Sequence, residues 1–325
     1  MITFGLLDDR PRSREKLREI HNQLFKNTDA SLEWFEWYFD TLQLDNRPSP
    51  VRVYSASEGD RLVGIWCVEP KLFSIDGRRT FVGRCFSVGI HADYRRQGLF
   101  VDLSKFAIES ERARGELEYV IGFPQEGKPV IEAHLKAGWD RVQLVRMRSL
   151  VPSRPAFPVS LSSVRTVNHL REGFHDLTNW HRPSNGTQDP NVSGFLQTST
   201  YMNSKWLLHP DHNYVCLFGV EEDPTSHVVI KQYGSVGHIL DVGGSHSGVA
   251  HLLEASKTLA YRHRWDELTI WCADNEHFHD VIVDAGFTPG ARYGLSVEVL
   301  AVKINATVPL QLRTVQFSMS CEEIY

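Results

Sequence analysis

Ser87-Val88-Gly89-Ile90-His91-Ala92-Asp93-Tyr94-Arg95-Arg96-Gln97-Gly98-Leu99-Phe100 decides how this chain is read. Upstream, Thr80 to Ile90 is an apolar run of strand character. Downstream, Leu99, Leu103, Phe106, Ala107 and Ala113 recur at helical spacing, and Gly115 stands where a helix stops. Between them lie two arginines and a glycine. A helix start leaves backbone N–H groups unpaired and carries a partial positive charge. A phosphate placed there is bound by those donors. Gly98 removes side-chain bulk, so an anion can approach the backbone, and Arg95 and Arg96 add charge. The stretch therefore predicts a strand, an anion-binding loop and a helix.

Working outward, Glu15–Phe25 and Ser31–Leu44 read as helices, the second rich in aromatics (Trp34, Phe35, Trp37, Tyr38, Phe39). Arg52–Ser57 and Leu62–Ile75 read as strands, the latter joined to Thr80–Ile90 at Asp76-Gly77, a hairpin signal. Tyr119–Phe123 is a short strand, Val130–Ala137 a helix ending at Gly138, and Arg141–Val151 a strand. Five serines and Pro152, Pro155 and Pro158 over Ser149–Ser163 mark a linker. The second half repeats the order. Val167–Trp180 and Thr200–Leu208 are expected helices. Tyr214–Val220, Ser226–Gln232 and His238–Val242 are strands, Val249–His263 a helix, and Leu268–Ala273 a strand. Phe278–Ala285 is a helix and Tyr293–Val302 a closing strand. Each glycine-opened helix is followed by strand, helix and Ala-Gly-aromatic, at Ala137-Gly138-Trp139 and Ala285-Gly286-Phe287. The expectation is a duplicated unit with a diverged second copy.

A length of 325 residues suits two domains of roughly 100–200 residues each. The expected division is 1–150, a linker at 151–164, and 165–325. A net charge of −5, from 35 basic and 40 acidic residues, argues against a nucleic-acid binder. Five scattered cysteines without metal spacing read as reduced thiols of a cytoplasmic protein. The N-terminus has no signal-peptide pattern, and no run reaches the ~18 apolar residues of a membrane helix. His277 and His279 do not form a ligand pattern, so no metal is expected. Large aromatics such as Trp34, Trp37 and Trp206 read mainly as core, with stacking on an acceptor as the minority reading. The sequence leaves oligomeric state open, a homo-oligomer included.

The loop residues resemble the GNAT superfamily of acyltransferases, the Gcn5-related N-acetyltransferases. That family's phosphate motif runs Arg/Gln-x-x-Gly-x-Gly/Ala between strand and helix. Here it reads Arg95-x-x-Gly98-x-Phe100, with Phe100 departing from the family's small residue. His134-Leu135-Lys136-Ala137-Gly138-Trp139 resembles the family's Tyr-x-Lys-x-Gly-Phe signature. The resemblance covers residues 1 to 150, and over 165 to 303 it is one of element order.

This resemblance implies an α/β (α+β) fold of two tandem GNAT-like copies. Each would be a mixed, mostly antiparallel sheet flanked by helices, the second copy degenerate. It implies acetyl-CoA, or another acyl-CoA, as co-substrate. Its pyrophosphate would sit on the amides of Gln97, Gly98, Leu99 and Phe100, beside Arg95 and Arg96. Its pantetheine arm would run along Val88, Gly89 and Ile90, where the fourth and fifth strands splay. A backbone N–H near Val88 or Ile90 would polarise the thioester carbonyl. His134 occupies the family's acid position, or only contacts the cofactor. The family's strand glutamate is replaced by Arg84. The base is then Glu69, His91, Asp93, a residue of the second half, or water; Glu69 could equally pair with Arg84. The second-half loop Val242-Gly243-Gly244-Ser245-His246-Ser247-Gly248 lacks both arginines and is expected to have lost the cofactor and to help build the acceptor site. The expected acceptor is a small primary amine such as a nucleotide-linked amino sugar. An aminoglycoside, a polyamine and an amino acid stay open. So does a non-catalytic CoA-binding or regulatory module.

Overall fold

The structure is a computed structural model describing residues 1–7, 11–25, 31–39, 50–154, 165–168, 192–195, 205–206, 214–219, 226–290, 295–307 and 309–317. The chain forms two compact units. The first gathers residues 1–74, 79–143 and 298–311; the second gathers 75–78, 144–297 and 312–325. Neither is a contiguous stretch.

In the first unit, β1 (Ile2–Leu6) pairs antiparallel with β2 (Arg52–Glu58), and β2 with β3 (Arg61–Ile75). β4 (Arg78–Ile90) follows a two-residue turn in which Asp76 and Gly77 have φ of 46° and 81°. Two left-handed central residues match the strand twist, which explains the Asp-Gly pair. β4 pairs in parallel with β5 (Tyr119–Gly122), and β5 pairs antiparallel with β14 (Val297–Lys303) over Leu300–Lys303. β5 is buried along its whole length, so it needs a strand on each side. α1 (Pro11–Leu24), α2 (Leu32–Phe39), α3 (Leu99–Arg114) and α4 (Pro129–Lys136) complete this unit.

α3 buries Leu99, Leu103, Ala107 and Ile108 on a core that includes Tyr54, Val63, Trp66, Val120 and Trp139. Its last turn is anchored by charge. Buried Glu111 receives Arg52 Nε at 2.7 Å, Arg52 Nη2 at 2.6 Å and the Tyr54 hydroxyl at 2.7 Å. The guanidinium and carboxylate compensate each other, as a buried charge requires. Gly115, at φ 73°, ends the helix.

The second unit repeats the succession. β7 (Arg165–Asn168), β9 (Tyr214–Phe218), β10 (His227–Tyr233) and β11 (Val236–Gly243) pair antiparallel in turn. β11 then pairs in parallel with β12 (Glu267–Ala273). β6 (Asp140–Leu150) lies antiparallel to β12 through Val145–Leu150. α5 (His246–Arg262) and α6 (His279–Asp284) pack on this sheet through Val249, Leu252, Leu253, Leu259 and Ile282. β13 (Thr288–Pro289) pairs with β6, and β8 (Val192–Phe195) in parallel with β15 (Thr314–Gln316). Each unit is thus closed by a strand from the other half of the sequence.

Some expectations need correcting. Val167 and Asn168, expected in a helix, belong to strand β7, where Thr166 and Val167 are β-branched and pair with β9. The rest of that expected helix lies outside the described residues, as does all but Lys205 and Trp206 of the one over Thr200–Leu208. So do Leu44 and the other residues past Phe39 of the second expected helix, and the start of the closing strand at Tyr293. β1, β8, β13 and β15 were not expected. Among the described residues, no helix is long and apolar enough to cross a membrane.

Candidate functional site

The site begins where two parallel strands part. β4 and β5 pair from Val82↔Tyr119 to Cys85↔Gly122, and there the register stops, while β4 continues to Ile90. The strand is irregular at that point. Cys85 and Ile90 belong to the core under α3, and Val88 packs against it. Arg84 and Phe86 instead meet Tyr38 of α2. Alternation along a regular strand would put residues 85, 87 and 89 on one face; here the core set skips to 88 and 90. The extra residue is Ser87, whose φ of 44° is rare for a residue with a side chain. Beyond it Gly89 lies under α1: a Cβ there would sit 3.1 Å from Leu24 Cδ1.

The loop that follows is built by its own side chains. A short 3-10 turn spans Ala92–Tyr94, and the Asp93 N–H donates to His91 Nδ1 at 3.3 Å. Arg61 Nη2 lies 3.1 Å from His91 Nε2, and the Tyr94 hydroxyl donates to Glu58 at 2.6 Å. Arg95 Nε donates to Ile90 O at 2.9 Å, and Gln97 Nε2 to Asp93 O at 3.2 Å. Arg96 and Gly98 take left-handed φ of 64° and 80°. Arg95 through Gly98 are exposed, Leu99 is buried and Phe100 is half-buried.

Gly98 caps α3 with no side chain to satisfy the first N–H groups. The intrahelical ladder begins with Val101 and Asp102 donating to Gly98 O. A Cβ on Gly98 would meet nothing nearer than Asp102 Oδ2 at 4.0 Å. The cradle is therefore open, its amides precede the ladder, and two exposed arginines flank it. A pyrophosphate fits that donor set.

His134 sits beneath this helix start. It is 2% exposed, with its ring edge-on to Phe100 at 5.0 Å and to Trp139 at 4.7 Å. Its Nδ1 lies 2.8 Å from Val130 O, so Nδ1 carries the hydrogen and Nε2 the lone pair. Burial pushes its pKa down to about 4. An acid role would require protonation at Nε2, which burial resists. Glu69 is fully buried, and its Oε2 receives Arg84 Nε at 2.7 Å and lies 3.6 Å from Lys71 Nζ. The partner found is the Arg84 alternative; a base role would require the carboxylate to leave that pair.

Sequence reasoning passed over His21. It follows Leu17 by four positions on the buried face of α1, so helical spacing carries it inward. Its Nε2 lies 3.4 Å from Ser87 Oγ, and its ring packs against Phe25, Trp34 and Phe35.

The second unit has the corresponding parting of strands and a different loop. β11 and β12 pair only as far as Ile239↔Ile270, and β11 continues to Gly243. Ser245 caps α5: its Oγ accepts from Gly248 N–H at 3.0 Å, and its own N–H donates to Ser226 Oγ at 3.2 Å. A Cβ on Gly244 would fall 2.1 Å from Ser226 Oγ. The His246 ring rests on His277 and Phe278.

No protein-family model matches the chain, and no curated protein matches it. Solved structures do. A GCN5-related N-acetyltransferase from Anabaena variabilis ATCC 29413 aligns with a TM-score of 0.64 at 15% identity, over 93% of this chain and 73% of that one. Saccharomyces cerevisiae N-myristoyltransferase with bound myristoyl-CoA gives 0.59 at 10% identity, over 98% and 89%. A tandem GNAT protein from the clavulanic acid biosynthesis pathway gives 0.55 at 11% identity, over 95% and 100%. With its mixed sheets flanked by helices, the chain has the fold of the GCN5-related N-acetyltransferases.

Proposed function

We propose that this chain is an acyl-CoA-dependent N-acyltransferase that moves a short acyl group to a primary amine. The carrying observation is one strand that does two things. β4 departs from β5 after Cys85, and its end leads through a short loop to a helix start whose cap, Gly98, has no side-chain acceptor. The likeness of fold to N-acetyltransferases supports the same reading.

In this reading the amides of Gln97 through Phe100, with Arg95 and Arg96, hold the pyrophosphate of acetyl-CoA or another acyl-CoA. The backbone of Val88, Gly89 and Ile90 pairs with the pantetheine arm. An N–H of Val88 or Ile90 aimed at the carbonyl oxygen stabilises the charge that develops there. Phe100 fills the place of the motif's small residue by packing on His134, which steadies the helix start. The acceptor we favour is a small amine, a nucleotide-linked amino sugar first among them.

The test is acetyl transfer from acetyl-CoA to a panel of amines, followed by mass spectrometry. The panel holds nucleotide-linked 3- and 4-amino sugars, an aminoglycoside, spermidine and free amino acids. Gain of one acetyl group on the nucleotide sugars alone is the expected result. The commitment of Glu69 to Arg84 favours a second reading, a binder without turnover. Acetyl-CoA binding with no product on any amine would select it.

A further inference from the structure

The reaction proposed above needs a group that accepts the proton shed by the attacking amine, and Glu69 is tied to Arg84. From the geometry we infer that Ser87, backed by His21, is that acceptor. The inference rests on Val88–Ile90 being the strand that holds the acyl donor.

Three observations place the pair. Ser87 is the extra residue at which β4 leaves β5, and it directly precedes Val88 on the strand that continues past the parting. His21 Nε2 faces that hydroxyl at 3.4 Å from α1, and the same helix covers Gly89 through Leu24. The imidazole is 5% exposed within a wall formed by Phe25, Trp34 and Phe35. Burial holds its pKa down at about 4, against an opposing hydrogen bond to Asn22, so the ring is neutral near pH 7. Nδ1 is buried with no hydrogen-bond partner among the described residues, and the scheme takes the tautomer with hydrogen there, which presents the Nε2 lone pair to Ser87 Oγ. A positive φ at a serine also indicates that the surrounding structure enforces an unfavourable conformation there, which is common where a side chain must be aimed.

The step balances as follows. The amine nitrogen bonds to the acyl carbon, the C–S bond breaks, and sulfur leaves with the electron pair as a thiolate. The proton lost by nitrogen goes to Ser87 Oγ as the Oγ proton passes to His21 Nε2. The imidazolium, disfavoured by its apolar surroundings, then gives its proton through water to the thiolate. Ser87 is the catalytic residue in this scheme and His21 the group that activates it.

The test uses the full chain with 15N-labelled histidine. Acetyl-CoA is titrated into the parent and into Ser87→Gly, a variant that lacks the hydroxyl but adopts a positive φ without strain. The expected result is that both bind with dissociation constants within about twofold. The His21 ring-nitrogen signals should move in the parent and lose that response in the variant. On an amine that the parent acetylates, Ser87→Gly should lower kcat about 100-fold and leave KM for acetyl-CoA nearly unchanged. His21→Gln should lower kcat in the same way. Equal His21 responses in the two proteins, or a kcat retained within about twofold, would overturn the inference and leave the donor site standing. No binding by the parent would overturn the donor site itself, and the inference with it.

Discussion

The loop before α3 and the loop before α5 begin alike, each running from the far end of a parted parallel strand into a long helix. They finish differently. At α3 the cap is Gly98, with no side-chain acceptor, open space where a Cβ would be, and Arg95 and Arg96 exposed beside it. At α5 the cap is Ser245, which accepts the Gly248 N–H itself, while Ser226, His246 and Phe278 pack the loop onto its own unit. A helix start serves a ligand when the chain leaves its donors to be satisfied from outside. The second loop has satisfied its own.

The hardest test of this contrast is Gly98→Val. A β-branched residue at φ 80° is strained, and its side chain stands over the amides. Acetyl-CoA affinity, measured by calorimetry, should weaken about 100-fold, roughly 2.7 kcal/mol. Unchanged affinity would show that the cradle is elsewhere.

A somewhat smaller effect comes from pH. His21 and His134 in the first unit, and His238 in the second, are each held down from 6.5 to about 4 by burial. Their folded pKa values lie below their unfolded ones, so the unfolded chain binds more protons between pH 6.5 and about 4. Stability is therefore full above 6.5 and falls as pH drops through that window. Thermal midpoints should decline from pH 7 to pH 5, with each histidine contributing up to about 2 kcal/mol. His134→Phe should roughly halve the decline in the first unit, where His21 still contributes. In the second, the decline from His238 is opposed by Glu276, whose carboxyl is held by burial well above the usual carboxylate range. A midpoint independent of pH would contradict these burials.

Replacing Arg95 and Arg96 together by Gln should weaken acetyl-CoA by about tenfold and reduce the salt dependence of binding. An unchanged salt dependence would remove the arginines from the site. The smallest change is expected on the other side of the comparison. Ser245→Ala should cost about 1 kcal/mol of stability, read by chemical denaturation, with acetyl-CoA stoichiometry staying at one per chain. A second equivalent bound in that variant would mean that the cap alone had closed the second loop.

The strand, loop and helix around Gly98 were legible because their signals are local. Leu99 to Arg114 came out residue for residue, since Leu99, Leu103 and Ala107 set the period and Gly115 its end. The acid–base chemistry was not. Ser87 depends on a bulge that its neighbours do not announce, and His21 reaches it across 66 positions. Glu69 and Arg84 were readable as a pair because one hairpin joins them. Val167 was misread because a run of four residues is given its state by the strand it meets.

The exchange of strands between the halves sets a schedule for synthesis. β5 emerges from the ribosome long before Leu300–Lys303, the segment that covers its far edge. A nascent first unit must therefore wait for about 180 further residues, roughly 10–40 s at usual elongation rates, with that edge bare. Cutting the gene near the proline-rich stretch would make the wait permanent, and each fragment would carry an unpaired edge in search of another chain.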